Sequence, residues 1–381
     1  MTIEKPGLDT ICGAFFHKPD LNQLAIKTVK EGERYLVQDL AENTFFMLGC
    51  EETSRSKTAL EQERQLLLII NKISCERQEE LALPLLQLSK DQKPWFQGKD
   101  RLWTLRRYVP GISFDWRGLS ANLPETESEE KQNRLSCLQY QSFCQRAGEE
   151  LARLHNLSFI GESQALDQRL DLSLTVDYRQ ACLTRLRAQA EKTSISLGEL
   201  EAILEPLIDA AVAKQERLSR EKKLPAVLIH GDFHPGNFRL TEQGAAGIID
   251  WDFSRFDSPL FDLLYSLFMF GGSFRQGKTT ASLLDQTKSE AFLAGYFAAI
   301  NADLKQTYQQ SQIDDERALA VLALTLILIF ELDFESKFNG SAKKSQLEQV
   351  KSNQEGLIKN LQMLALEQEA GKSLIHVCGF S

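Results

Sequence analysis

Residues 228–264 read LIHGDFHPGNFRLTEQGAAGIIDWDFSRFDSPLFDLL. Between Ile229 and Asn237 the chain cannot be helical, because Gly231, Pro235 and Gly236 interrupt it. The spacing predicts a rigid loop that holds His230, Asp232, His234 and Asn237 between the strand-like runs LPAVLI and FRL. A further apolar run, AGIID, ends at Asp250, with Asp252 two residues beyond. Polar groups able to do chemistry are thus concentrated on short, stiff connections.

Asp232 precedes Asn237 by five residues and Asp250 by eighteen. Protein kinases space their catalytic-loop Asp and metal-binding Asn in the same way, H-R-D-x-x-x-x-N, with a second metal-binding Asp further on. His230, Asp232 and Asn237 match that pattern with Gly231 in place of Arg, and Asp250 opens D-W-D where kinases have D-F-G. Phosphoryl transfer from a metal-bound nucleotide needs a base or positioning carboxylate, a neutral oxygen ligand and a second carboxylate, and all three types are present. Asp and Asn also serve as plain turn and cap residues, the alternative for each of these positions. Asp252 reads equally as a partner of the metal-binding group or as a turn residue. His234 reads as an active-site or an exposed loop residue, and His155 as a packed helix-end residue more than as a ligand.

Outward from this stretch, residues 21–49 alternate apolar runs with turn signals, LAIKTV, RYLVQDL and FFMLG, and predict three strands. A helix follows from about Thr53, capped by Thr53 or Ser56, with Leu60, Leu67, Ile70 and Ile73 on its apolar face. Further strands are expected in LALPLLQL, KPWFQ and RLWTLRRYV before Pro110-Gly111. Residues 119–135 predict an exposed acidic loop, residues 138–157 a helix, 174–220 two helices, and 280–369 mostly helix. The implied class is α+β, with a small strand-rich lobe (1–109) carrying one helix and a large, mainly helical lobe (110–381).

Composition sets limits. The 381 residues are 43% apolar and 25% charged with net charge −9, and no basic block suggests nucleic acid. The seven cysteines form no C-x-x-C and fit a reducing cytoplasm. The N-terminus lacks a signal pattern, and the apolar run Leu319–Phe330 is short of the roughly 20 residues of a membrane span, so it predicts a buried helix.

H-G-D-F-H-P-G-N followed by I-I-D-W-D resembles the aminoglycoside phosphotransferase and choline kinase family. L-A-R-L-H (151–155) resembles its helix before the catalytic loop, R-R-Y-V-P-G (106–111) its interlobe hinge, and S-P-L-F-D-L (258–263) its helix after the metal-binding Asp. The resemblance implies a protein-kinase-like bilobal fold and transfer of phosphate from ATP, with Mg2+, to a hydroxyl of a small molecule. Asp232 would accept or orient the hydroxyl proton, and His234 would face the transferred phosphate. Asn237 and Asp250 would hold the metal, and backbone at Tyr108 and Val109 would meet adenine. His230 and Asp262 would brace the catalytic loop.

The departure lies in the third strand. Gly49 of FFMLG stands where the family carries a Lys or Arg that grips the α- and β-phosphates. Glu63, the helix partner of that cation, then faces no obvious charge, and Arg55 or Lys57 would have to substitute. Lys27 of L-A-I-K fills the role only if two strands fit upstream of it. A catalytically impaired binding or regulatory protein of this fold is therefore a second expectation, and a family member acting on protein Ser/Thr a third.

Two rival motifs are weaker. Gly272–Thr279 satisfies the P-loop pattern G-x-x-x-x-G-K-T, which needs a strand immediately before it, whereas PLFDLLYSLFMF has helical spacing. A zinc pair of His230 and His234 needs a helix that Gly231 and Pro235 forbid.

Overall fold

The computed structural model describes residues 5–16, 23–30, 33–51, 56–76, 81–98, 101–114, 129–158, 227–241, 244, 246–272, 283–310, 313–338 and 344–366, with isolated helical positions between 184 and 217. Two compact units emerge, one of residues 1–112 and 239–252, the other of 113–238 and 253–381.

The first unit is built on a five-stranded antiparallel sheet in the order β1-β2-β3-β6-β5. Its strands are β1 (Leu24–Lys30), β2 (Arg34–Asp39), β3 (Thr44–Cys50), β5 (Phe96–Gln97) and β6 (Leu102–Arg107). The alternation of apolar residues that predicted β2 and β3 has a structural cause in α1 (Lys5–Phe15), a helix the sequence did not announce. Ile11, Cys12 and Phe15 of α1 pack on Tyr35, Val37, Leu48, Trp103 and Leu105, which share one face of the sheet. Burial along β2 alternates accordingly. The second helix, α2 (Lys57–Glu76), begins directly after Ser56, one of the two expected caps, and buries Leu60, Leu66, Leu67 and Ile70. LALPLLQL contributes the two-residue β4 (Leu81–Ala82) before Pro84, which lacks a ladder donor, and beyond it Leu86 bridges antiparallel to Arg106. β4 pairs in parallel with β9 (Ala246–Ile248), and β8 (Phe238–Leu240) completes a small three-stranded sheet.

The second unit is mainly helical. α3 runs Glu129–Ser158, so the acidic segment expected to be a loop is helical from Glu129 onward. β7 (Val227–Ile229) pairs antiparallel with β10 (Arg255–Asp257). Then come α4 (Pro259–Gly271), α5 (Gln286–Ala299), α6 (Ala302–Gln310), α7 (Ile313–Phe338) and α8 (Lys344–Leu366). α3 crosses α5 at backbone contact, because Gly148 faces Phe292 O and Gly295 faces Gln145 O with no room for a Cβ on either. The run Leu319–Phe330 lies within α7 and is buried as expected, apart from Phe330 at its end. Among the described residues no helix is long and apolar enough to cross a membrane. The helices expected over 174–220 fall almost wholly outside the described residues, as do Gly277, Lys278 and Thr279. PLFDLLYSLFMF forms α4, so the strand a P-loop requires before it is a helix.

Candidate active site

The loop from His230 to Asn237 is held from both ends by short hydrogen bonds. Asn237 N–H donates to His234 O at 2.9 Å and closes a tight turn over Pro235-Gly236. Gly231 takes a left-handed φ of +79°, and a Cβ there would lie 2.3 Å from Phe253 O and 2.7 Å from Arg255 Nη1. Arginine, the kinase residue at this position, is therefore excluded both by backbone conformation and by the strand β10 that runs alongside.

Asp262, in the first turn of α4, is fully buried and anchors the start of the loop. Its Oδ2 accepts from His230 N–H at 2.9 Å and its Oδ1 from Gly231 N–H at 3.0 Å. His155 Nε2 lies 3.2 Å from Oδ2, and its Nδ1 lies 2.7 Å from the Tyr296 hydroxyl. Tyr308 lies 2.5 Å from that hydroxyl in turn. With Asp262 ionised the chain is ordered: Tyr308 donates to Tyr296, Tyr296 to His155, and His155 Nε2–H to the carboxylate. Burial opposes the charge on Asp262, but the hydrogen bonds and nearby histidines outweigh it and hold its pKa below the ordinary value. Burial pushes both tyrosines upward, so they stay protonated donors. His155 is thus a buried structural histidine, tied to the loop through Asp262.

Asp232 is almost buried and its two oxygens are differentiated. Oδ1 accepts from the Tyr265 hydroxyl at 2.5 Å, from one turn further along α4 than Asp262. Asn237 Nδ2 donates to Asp232 O at 3.0 Å and approaches Oδ2 at 3.4 Å. These contacts turn the Asn237 amide so that its Oδ1 points away from Asp232. His234 Nδ1 accepts from Gly236 N–H at 3.0 Å, which puts the ring proton on Nε2, and Nε2 stands 3.7 Å from Asp232 Oδ2. His230 Nδ1 accepts from Asp232 N–H at 3.3 Å, and its ring packs edge-on against Phe233. Sequence spacing brings Asp232, His234 and Asn237 together; Tyr265, 33 residues on, was missed because nothing local marks it.

In the first unit, Asp250 and Asp252 follow β9 and are exposed. Asp250 adopts φ +65°, a conformation that costs a non-glycine residue about 1 kcal/mol or more and recurs at functional sites. A cavity of about 1090 Å3 in the same unit is lined by Leu36, Phe45, Leu83, Leu85, Tyr108 and Ala246 among others. Tyr108 N–H is engaged by Phe45 O at 3.0 Å, which leaves its carbonyl as the main-chain group it can offer there. Val109 is buried and turns its side chain to Gly247, with Cγ1 2.2 Å from where a Cβ of that residue would stand.

Gly49 lies on β3 and Lys27 on β1, so neither provides a cation on the strand that precedes α2. Glu63 is nevertheless paired, contrary to the sequence expectation. Arg106 of β6 reaches it with Nη2 at 3.0 Å from Oε2 and meets Glu51 with Nη1 at 2.5 Å. Burial works against the guanidinium charge, but Glu63 and Glu51 outweigh it and raise its pKa. The sequence puts Arg106 on the strand RLWTLRRYV, as observed, but gives it no partner; strand register reveals Glu63 and Glu51 beside it.

This architecture, an antiparallel sheet with one helix packed beside a cation–carboxylate pair and a separate helical unit carrying the H-G-D loop, is that of protein-kinase-like phosphotransferases. The profile of the phosphotransferase enzyme family (APH) matches residues 31–310, and the chain belongs to that family. No curated protein sequence matches it. Among solved structures it is similar to an aminoglycoside phosphotransferase from Alicyclobacillus acidocaldarius, with 14% identity, coverage of 95% of this chain and 96% of the other, and TM-score 0.54. A choline kinase from Cryptosporidium parvum gives 14% identity, 92% coverage of each chain and TM-score 0.57. An amicoumacin kinase in complex with AMP-PNP and Ca2+ gives 13% identity, 98% and 97% coverage, and TM-score 0.53.

Proposed function

We propose that this phosphotransferase is an ATP- and Mg2+-dependent kinase that transfers the γ-phosphate to a hydroxyl of a small molecule, of the amino-sugar, amino-alcohol, sugar or antibiotic class. The observation that carries it is the fixed carboxylate of Asp232, with Oδ1 engaged by Tyr265 and Oδ2 beside Asn237 and His234. Oδ2 is the oxygen assigned to take the proton of the acceptor hydroxyl as that oxygen bonds to the γ-phosphorus and the bond to ADP breaks. His234 Nε2–H is placed to donate to charge that develops on the transferred phosphate.

Asn237 Oδ1 and the Asp250 carboxylate are the proposed metal ligands. An amide and a carboxylate oxygen suit a hard cation such as Mg2+, which would keep waters and phosphate oxygens as its other ligands and neutralise phosphate charge. The cavity at Tyr108, with apolar walls from Leu36, Phe45, Leu83 and Ala246, is the proposed adenine pocket. Support comes from the family membership and from the nucleotide held by the amicoumacin kinase.

The test is ATP consumption against a panel of amino sugars, amino alcohols, sugars and proteins, with Mg-ATP binding measured in parallel. Asp232→Ala abolishes turnover and keeps Mg-ATP binding, whereas Asp250→Ala weakens binding. Unchanged transfer in both variants refutes the proposal. Gly49 favours a second reading, a binding protein of this fold without turnover, which predicts no thermal shift at millimolar Mg-ATP.

A further inference from the structure

The register of the five-stranded sheet places Gly49 opposite Thr104 and Met47 opposite Arg106. On the other side of β3, Arg34 is opposite Gly49 and Leu36 opposite Met47, and Lys27 is in turn opposite Leu36. Residues directly opposite one another, and those two apart along a strand, project to the same face. Lys27, Arg34, Leu36, Met47, Gly49, Thr104 and Arg106 therefore share the face opposite to the one α1 covers. On that face the Arg106 guanidinium folds back along its own strand, and Nη1 donates to Thr104 Oγ1. Its charge thus comes to stand beside the row of Gly49, the position that carries no side chain. Space is open there, since a Cβ on Gly49 would meet nothing within 4 Å.

We propose that Arg106 is the residue that holds the α- and β-phosphates of the bound nucleotide, supplied from β6 to the place that Gly49 leaves vacant on β3. The inference rests on the phosphotransferase reading and specifies how its nucleotide is gripped. Glu51 and Glu63 orient the guanidinium through Nη1 and Nη2. Five N–H donors are available on a guanidinium, so Nε–H remains for a phosphate oxygen. Two carboxylates against one guanidinium would repel phosphate, but exposed Lys27 and Arg34 on the same face make three cations against two carboxylates. Distance also fits. The cavity assigned to adenine is lined by Leu36 and Phe45 of this face and by Tyr108, two residues beyond Arg106 and so roughly 7 Å along the chain.

The experiment compares binding of ATP, ADP and adenosine to the full chain and its variants by calorimetry. Arg106→Met is expected to weaken ATP and ADP by roughly 10- to 100-fold, the loss of a charged hydrogen bond, and to leave adenosine unchanged. Adding Gly49→Lys to Arg106→Met is expected to recover most of the ATP affinity, because the new cation returns to the same row from β3. A purely structural ion pair would weaken adenosine and ATP alike and gain nothing from Gly49→Lys, and either result overturns the assignment. Equal ATP binding by wild type and Arg106→Met overturns it too, while the phosphotransferase reading stands. Absence of nucleotide binding by the wild type overturns both. If Arg106→Met does not fold, Arg106→Lys carries the comparison: weaker ATP with unchanged adenosine supports the role, and wild-type affinity for both refutes it.

Discussion

Asp262→Asn tests the brace under the His230–Asn237 loop, and its cost can be worked from the contacts. The carboxylate accepts from His230 N–H, Gly231 N–H and His155 Nε2–H, all in a fully buried position. Asparagine offers one acceptor oxygen and one NH2 group, so at least one buried donor is left facing another donor. The least costly orientation turns the NH2 toward Gly231 and keeps the His230 and His155 contacts. One unmet buried donor costs about 1–3 kcal/mol, and two charge-assisted bonds fall to about half their strength. The total is about 3–5 kcal/mol, the range for breaking a buried charged network. Urea unfolding of wild type and variant, followed by the fluorescence of the tryptophans, measures it as a midpoint shift. The pH dependence carries a sign. Asp262's folded pKa lies below its ordinary value of 3.8, so its stabilisation is complete above that value and is lost as pH falls below it. The gap between wild type and variant should be constant from neutral pH down to about pH 5 and close below about pH 4. A difference under about 1 kcal/mol at neutral pH, or a gap that widens on acidification, refutes the reasoning.

Tyr265→Phe removes the hydroxyl from Asp232 Oδ1 and leaves the ring buried in place. Turnover should fall roughly 10- to 100-fold with Mg-ATP affinity unchanged, and a kcat within twofold of wild type would show that the contact is incidental. Gly295→Ala puts a Cβ 1.9 Å from Gln145 O at the crossing of α3 and α5, and the helices must separate. The cost is at least about 2 kcal/mol, or a fall in Tm of about 4 °C or more, and a melting curve within 1 °C of wild type contradicts the close crossing.

How much was legible depended on range along the chain. The loop geometry of His230 to Asn237 follows from Gly231, Pro235 and Gly236, and its partners lie within five residues of one another. The three strands of residues 24–50 were legible because period-two alternation is a local signal. The start of α3 was misplaced because Glu125 to Glu130 read as solvated loop, and a run of glutamates is equally at home in the first turn of a helix. α1 escaped notice since an eleven-residue helix with mixed polarity is marginal by itself and gains its stability from packing on the sheet.

By itself, then, the sequence determines most of the order of elements after α1 and the spacing of Asp232, Asn237 and Asp250, because turn chemistry and hydrophobic period act between neighbours in the chain. Only the tertiary structure decides that Arg106 meets Glu63 and Glu51, 43 and 55 residues away, and that Tyr265 reaches Asp232. Side-chain parity tells which face a strand residue takes, but not which strand lies beside it. The pairing of β3 with β6 brings Arg106 next to the glycine that stands where the family resemblance implies a cation.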